Sequence, residues 1–84
     1  MPSPDAIRAL LVSAFPEAHV EVTDLTGTQD HFQALVVSRD FQGKSRVDQH
    51  KMVYAALGEL MGGAIHALQL TTRTQDRSGE KQEP

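Results

Sequence analysis

The stretch Phe41–Leu68, FQGKSRVDQHKMVYAALGELMGGAIHAL, decides the fold. Ser45 is placed to cap a helix, because its hydroxyl accepts from an amide that the first turn leaves unpaired. Asp48 follows three residues later, where a carboxylate completes a capping box and meets the positive end of the helix dipole. Val47, Val53, Leu57, Leu60 and Met61 recur at spacings near three and four, which predicts one apolar helix face. Gly62-Gly63 is expected to stop the helix, since glycine tolerates the left-handed geometry of a C-cap. Ile65-His66-Ala67-Leu68-Gln69-Leu70 then reads as a strand, with His66 among its first residues.

Working back toward the N-terminus, Pro4 suits the first position of a helix, where its missing amide costs nothing. Ile7, Leu10, Leu11 and Ala14 keep helical spacing, and Pro16 forces the preceding residue out of the helical region. A helix over residues 4–14 follows. Ala18–Asp24 alternates, with His19, Glu21 and Thr23 on a wet side and Val20 and Val22 on the other. Leu25–Asp30 is a turn rich in Thr, Gly and Asp. His31–Ser38 is a second strand, whose Leu35-Val36-Val37 run suggests cover on both faces or flanking neighbours. The short loop predicts an antiparallel hairpin. Phe41 reads as a core plug and Gly43 as a tight bend.

The order α-β-β-α-β predicts a two-layer α+β domain over residues 1–72, with three strands and both helices on one face. The last strand is expected over residues 64–72. Residues 73–84, RTQDRSGEKQEP, hold no aromatic or large aliphatic side chain and are expected to remain a disordered polar tail.

With 84 residues the chain makes one modest core, and 39% hydrophobic and 23% charged residues are ordinary for a soluble globular protein. No apolar run is long enough to span a bilayer. The N-terminus lacks the basic start and apolar block of a secretory signal, so a cytoplasmic location is expected. The absence of cysteine excludes disulfides, thiolate zinc sites and cysteine nucleophiles. A net charge of −3 disfavours indiscriminate phosphate binding. Charge is nevertheless uneven. Residues 39–51 carry Arg39, Lys44, Arg46 and Lys51 against Asp40 and Asp48, while residues 17–30 carry four acids and no Lys or Arg.

No Gly-rich loop runs into Lys-Ser/Thr, no His-Glu-x-x-His occurs, and Ser38 and Ser45 have no base at motif spacing. Asp24 and Asp30 flank a loop as turn formers. An enzyme is not expected. Of the four histidines, His19 lies on the wet side of the first strand, and His50 sits four residues before Tyr54 on the long helix. His31 opens the second strand and His66 the third. Spacing alone leaves His66 either a partner of a neighbouring carbonyl or a ligand suited to iron, zinc or copper.

His31-Phe32, Val36-Val37-Ser38, Phe41-x-Gly43-Lys44-Ser45, Gln49-His50-Lys51-x-Val53-Tyr54 and Ile65-His66-Ala67-Leu68 together resemble the BolA family in order and spacing. The likeness runs from the first helix to about Thr72. It implies a fold similar to class II K-homology (KH) domains. It also implies partnership with a monothiol glutaredoxin around a shared [2Fe–2S] cluster. There the glutaredoxin and glutathione supply thiolates and the BolA partner a histidine that matches His66. Many members add a second ligand, Cys or His, from the loop before the second strand. Thr28 stands where that Cys would be, so His31 or Asp30 is left as the second donor, or His66 acts alone. Gln49 replaces the usual Arg before the helix histidine, and the usual C-terminal Thr-x-x-x-Trp-like ending is missing. Alone, the chain is expected to hold no cofactor and to be a monomer or weak homodimer.

Some family members are described as DNA-binding regulators. That alternative places Gly43, Lys44, Arg46 and Lys51 at a nucleic-acid backbone, as KH-like domains do with a Gly-containing basic loop.

Overall fold

A computed structural model describes residues 3–61, 63, 65 and 67–74. Helix α1 spans Pro4–Ala14. Ser3 caps it by accepting from the Ala6 amide at 3.1 Å, and Pro4 occupies the first turn. The Phe15 amide closes its far end on the Leu11 carbonyl at 2.8 Å, one residue before Pro16. Strands β1 (His19–Asp24) and β2 (His31–Ser38) form the antiparallel hairpin, with His19 opposite Val37 and Asp24 opposite Phe32.

A 3-10 turn, Arg39–Phe41, leaves β2 and is pinned by Ser38, whose hydroxyl accepts from the Asp40 amide at 3.0 Å. Gly43 then takes φ +77°, a left-handed value that L side chains avoid. Helix α2 spans Arg46–Leu57, and Ser45 Oγ accepts from the Asp48 amide at 3.1 Å. Ser45→Ala should remove that cap and lower stability by about 1 kcal/mol, read as a downward shift in the urea midpoint with an unchanged slope.

Two features of α2 depart from expectation. The helix ends at Leu57, not at Gly62-Gly63: Gly58 adopts φ +59° and its amide bonds the Tyr54 carbonyl. Leu60 and Met61 still pack against the core, but from a 3-10 turn (Gly58–Leu60) and the residue after it. Val47 is 64% exposed. Six residues advance a helix by roughly 600°, which leaves Val47 about 120° away from Val53 and off the buried face.

Strand β3 covers Ala67–Thr74 and lies parallel to β2, giving the order β1-β2-β3. Its described residues begin at Ala67 and run two residues past the expected end at 72. Arg73 and Thr74, expected in the tail, are therefore strand residues. The β-branched run Thr71-Thr72 and Thr74 suits the pleat, and Thr72 is buried with its hydroxyl donating to Gln49 Oε1 at 2.6 Å. The expected polar tail from residue 75 onward, and Gly62 and Ala64, lie outside the described residues.

Ile7, Leu11 and Phe15 from α1 and the residue after it meet Val20, Phe32 and Val36 from the sheet and Val53 and Leu57 from α2. Phe41 and Ile65 fill the remaining space. The Phe15 and Phe41 rings sit 5.3 Å apart at 59°, a tilted aromatic pair. The other sheet face is wet, with His19, Glu21, Thr23 and Gln33 exposed. β2 is central in the sheet, which explains its apolar run, with Leu35 and Val37 half-buried on the outer face.

Candidate functional site

The loop between β1 and β2 is wound around one carboxylate. Asp24 accepts from the amides of Gly27 at 3.0 Å, Gln29 at 3.1 Å and Thr26 at 3.3 Å. Gly27 and Gln29 both take positive φ, +78° and +63°, to aim those amides inward. Asp24 is thus a turn former, as its position in the sequence suggested. The loop delivers Thr28, Asp30 and His31 to one end of the sheet. Thr28 and Thr26 pair hydroxyl to hydroxyl at 2.5 Å, and the Thr28 hydroxyl donates to Asp30 Oδ1. His31 Nδ1 lies 2.9 Å from the same oxygen. A carboxylate only accepts, so Nδ1 donates in this contact. A carboxylate holding the far nitrogen is the usual support for a metal-binding histidine.

The start of β3 comes to the same end. The Ala67 amide donates to the Asp30 carbonyl at 3.1 Å, and Ala67 is the register partner of His31. Sequence left open whether the third strand would lie beside the first or the second. The structure puts it beside the second, in parallel, so Asp30-His31 and the first residue of β3 are neighbours. His66 itself lies outside the described residues. Among the described residues no group of three or more His, Asp or Glu side chains is gathered as a metal site.

The other histidines stand elsewhere. His19 Nε2 pairs with Glu21 Oε2 at 2.6 Å on the wet sheet face. His50 meets Tyr54 edge-on, with centroids 6.3 Å apart, one turn along α2.

The basic segment is exposed at Gly43, Lys44, Arg46 and Lys51. Gly43, Lys44 and Arg46 cluster around the start of α2, whereas Lys51, five residues beyond Arg46, is turned roughly 140° around the helix. Gln49 has a role that sequence reading missed. Its amide nitrogen donates to the Lys44 carbonyl at 2.9 Å while its Oε1 accepts from Thr72, so one side chain ties the basic loop to β3. An amide, unlike an arginine, both donates and accepts, and that was the available signal at this position.

No helix among the described residues is long and apolar enough to cross a membrane. The BolA-like protein family model matches residues 5–77. A Rickettsia prowazekii protein, RP812, is 33% identical over 70 residues, spanning 83% of this chain and 91% of its own length. The Escherichia coli DNA-binding transcriptional regulator BolA is 32% identical, covering 83% of this chain and 73% of that protein. The match to human BolA-like protein 1 is 46% identical, over 57% of this chain but only 35% of the human protein. Among solved structures, a Bol-like protein from Babesia bovis superposes with a TM-score of 0.78 at 31% identity, covering 88% of this chain and 86% of that one. The α+β architecture with its three-stranded mixed sheet is that of these structures, and the chain belongs to the BolA-like family.

Proposed function

We propose that this protein is an adaptor for a monothiol glutaredoxin, contributing histidine to a shared [2Fe–2S] cluster in iron–sulfur trafficking or iron sensing. The observation that carries the reading is the Ala67 amide bonded to the Asp30 carbonyl at 3.1 Å. It brings the strand that continues the Ile-His-Ala-Leu segment beside His31. Asp30 orients the His31 ring through Nδ1, and imidazole is a donor suited to iron. Thr28 is not a ligand in this reading: its hydroxyl supports the carboxylate behind the imidazole. His66 is the primary ligand and His31 the secondary one. The thiolates come from the glutaredoxin and glutathione, since this chain has no cysteine. Imidazole ligation raises the potential of such a cluster above that of an all-thiolate one and makes its retention sensitive to acid, because a protonated ring has no lone pair for iron. The chain acts by holding ligands, not by turning over a substrate.

The test is titration of a [2Fe–2S]-loaded monothiol glutaredoxin with this protein, followed by visible absorption and circular dichroism. A new spectrum that saturates as a heterocomplex forms is expected. A spectrum unchanged through excess protein overturns the reading.

The Escherichia coli relative, a DNA-binding transcriptional regulator, favours a second reading, regulation by DNA binding. Gly43 in its left-handed bend and Lys44 and Arg46 beside it form the backbone-facing element. Lys44→Ala should weaken duplex binding similarly across sequences and lower the salt dependence by about one phosphate contact, measured by anisotropy at two salt concentrations. Binding that vanishes at physiological salt in the parent protein removes this reading.

A further inference from the structure

We infer that the free edge of β3 is a docking site for an acidic peptide in extended conformation, added to the sheet as a fourth strand. β3 pairs only with β2 in the described sheet. The Ala67 amide points to β2, and in a parallel ladder the same holds for every second residue after it. The amides and carbonyls of Leu68, Leu70, Thr72 and Thr74 therefore point away from β2. No hydrogen bond to a described residue uses the Leu70 or Thr72 amide. A row of outward backbone groups is a template for another extended chain.

The groove along this edge sets the chemistry of its occupant. A depression of about 300 Å³ is lined by Arg46, His50, Leu70, Thr71, Thr72 and Arg73. Its lining holds two guanidinium groups and an imidazole and no carboxylate. Arg46 and His50 come from α2 on one side and Arg73 from the strand itself. An extended peptide added to this edge sends successive side chains to opposite faces of the sheet, one set toward Arg46 and His50 on the helix side and the other toward Arg73, and planar guanidinium groups accept carboxylates in pairs. A second copy of this chain is the wrong occupant, because edge-to-edge pairing about a two-fold axis gathers Arg46 and Arg73 from both copies. A nucleic acid single strand is served mainly by aromatic stacking platforms, and no Phe, Tyr or Trp lines this groove.

The experiment uses the full chain and a labelled, capped Val–Glu hexapeptide of repeating Val-Glu-Glu, which places carboxylates on both faces of the added strand, followed by fluorescence anisotropy. Two further peptides carry N-methyl groups on one strand edge or on the other, and a Val–Lys peptide of repeating Val-Lys-Lys and an oligothymidylate complete the set. The Val–Glu peptide should bind, one N-methylated form should bind and the other should not. Arg46→Glu and Arg73→Glu should each weaken Val–Glu binding at least about tenfold, roughly one charge-assisted contact. The double charge reversal should transfer preference to the Val–Lys peptide, a gain that a misfolded variant cannot give. Backbone amide resonances of Leu70 and Thr72 should move on binding. Absence of saturable binding at about millimolar peptide, equal binding of both N-methylated forms, or displacement of the peptide by oligothymidylate each overturns the inference.

Discussion

Phe41→Ala is expected to lower the unfolding free energy by about 3–5 kcal/mol. Phe41 is fully buried in the core and packs tilted against Phe15, with ring centroids 5.3 Å apart. Truncation removes the transfer free energy of the ring and leaves a cavity whose lining, Phe15 included, cannot fully collapse. For 84 residues total stability on the order of 4–13 kcal/mol is expected, so the variant stands near the threshold of folding. Urea unfolding followed by far-ultraviolet circular dichroism measures it. A loss below about 1 kcal/mol would show that this ring contributes little packing and would contradict its place in the core. Phe41 sits on the 3-10 turn that leads to Gly43 and Lys44. The same substitution should therefore loosen the basic loop as well as the core.

The second large effect concerns the proposed ligands. With cluster-loaded glutaredoxin, His66→Ala should abolish the heterocomplex spectrum while leaving protein–protein association measurable. His31→Ala should leave a weaker and less persistent one. Asp30→Ala should reduce cluster retention by about 10–100-fold, the usual cost of removing the group that orients a metal-binding histidine. The sign of the pH effect follows from imidazole chemistry: acid protonates the ligand and releases the cluster, and raising the pH restores retention. An unaltered spectrum in His66→Ala would remove that residue from the ligand set. An unaltered spectrum in both His31→Ala and Asp30→Ala would leave His66 as this chain's sole donor.

Much of the fold was legible because its punctuation is local. Pro4 and Pro16 bracket α1, and Ser45 opens α2. The Thr/Gly/Asp loop separates two strands whose bounds hardly move from the expected ones. The end of α2 was misread because apolar residues keep a near-helical spacing through Leu60 and Met61. Gly58, the first residue able to take a left-handed conformation cheaply, interrupts the helix before the double glycine is reached. The parallel pairing of β3 was not legible, since it is a contact between residues 36 positions apart, His31 and Ala67. No local pattern encodes that choice. The same holds for the site. Histidine at residue 31 was visible in sequence, but the Asp30 carboxylate behind it and the Thr28 hydroxyl behind that are products of the loop's winding around Asp24. Gln49 read only as a departure from the family pattern. Its two hydrogen bonds became visible once β3 was placed.

The parallel pairing of β2 and β3 also has a temporal side. Synthesis is vectorial, and the 36 residues that follow His31, up to and including Ala67, take about 2–7 s to add at roughly 5–20 residues per second. Throughout that interval the central strand, with its Leu35-Val36-Val37 run, waits beside the ribosome with one flank unzipped. The nascent chain is most adhesive then, and a holdase would find its grip on this segment before the final strand arrives.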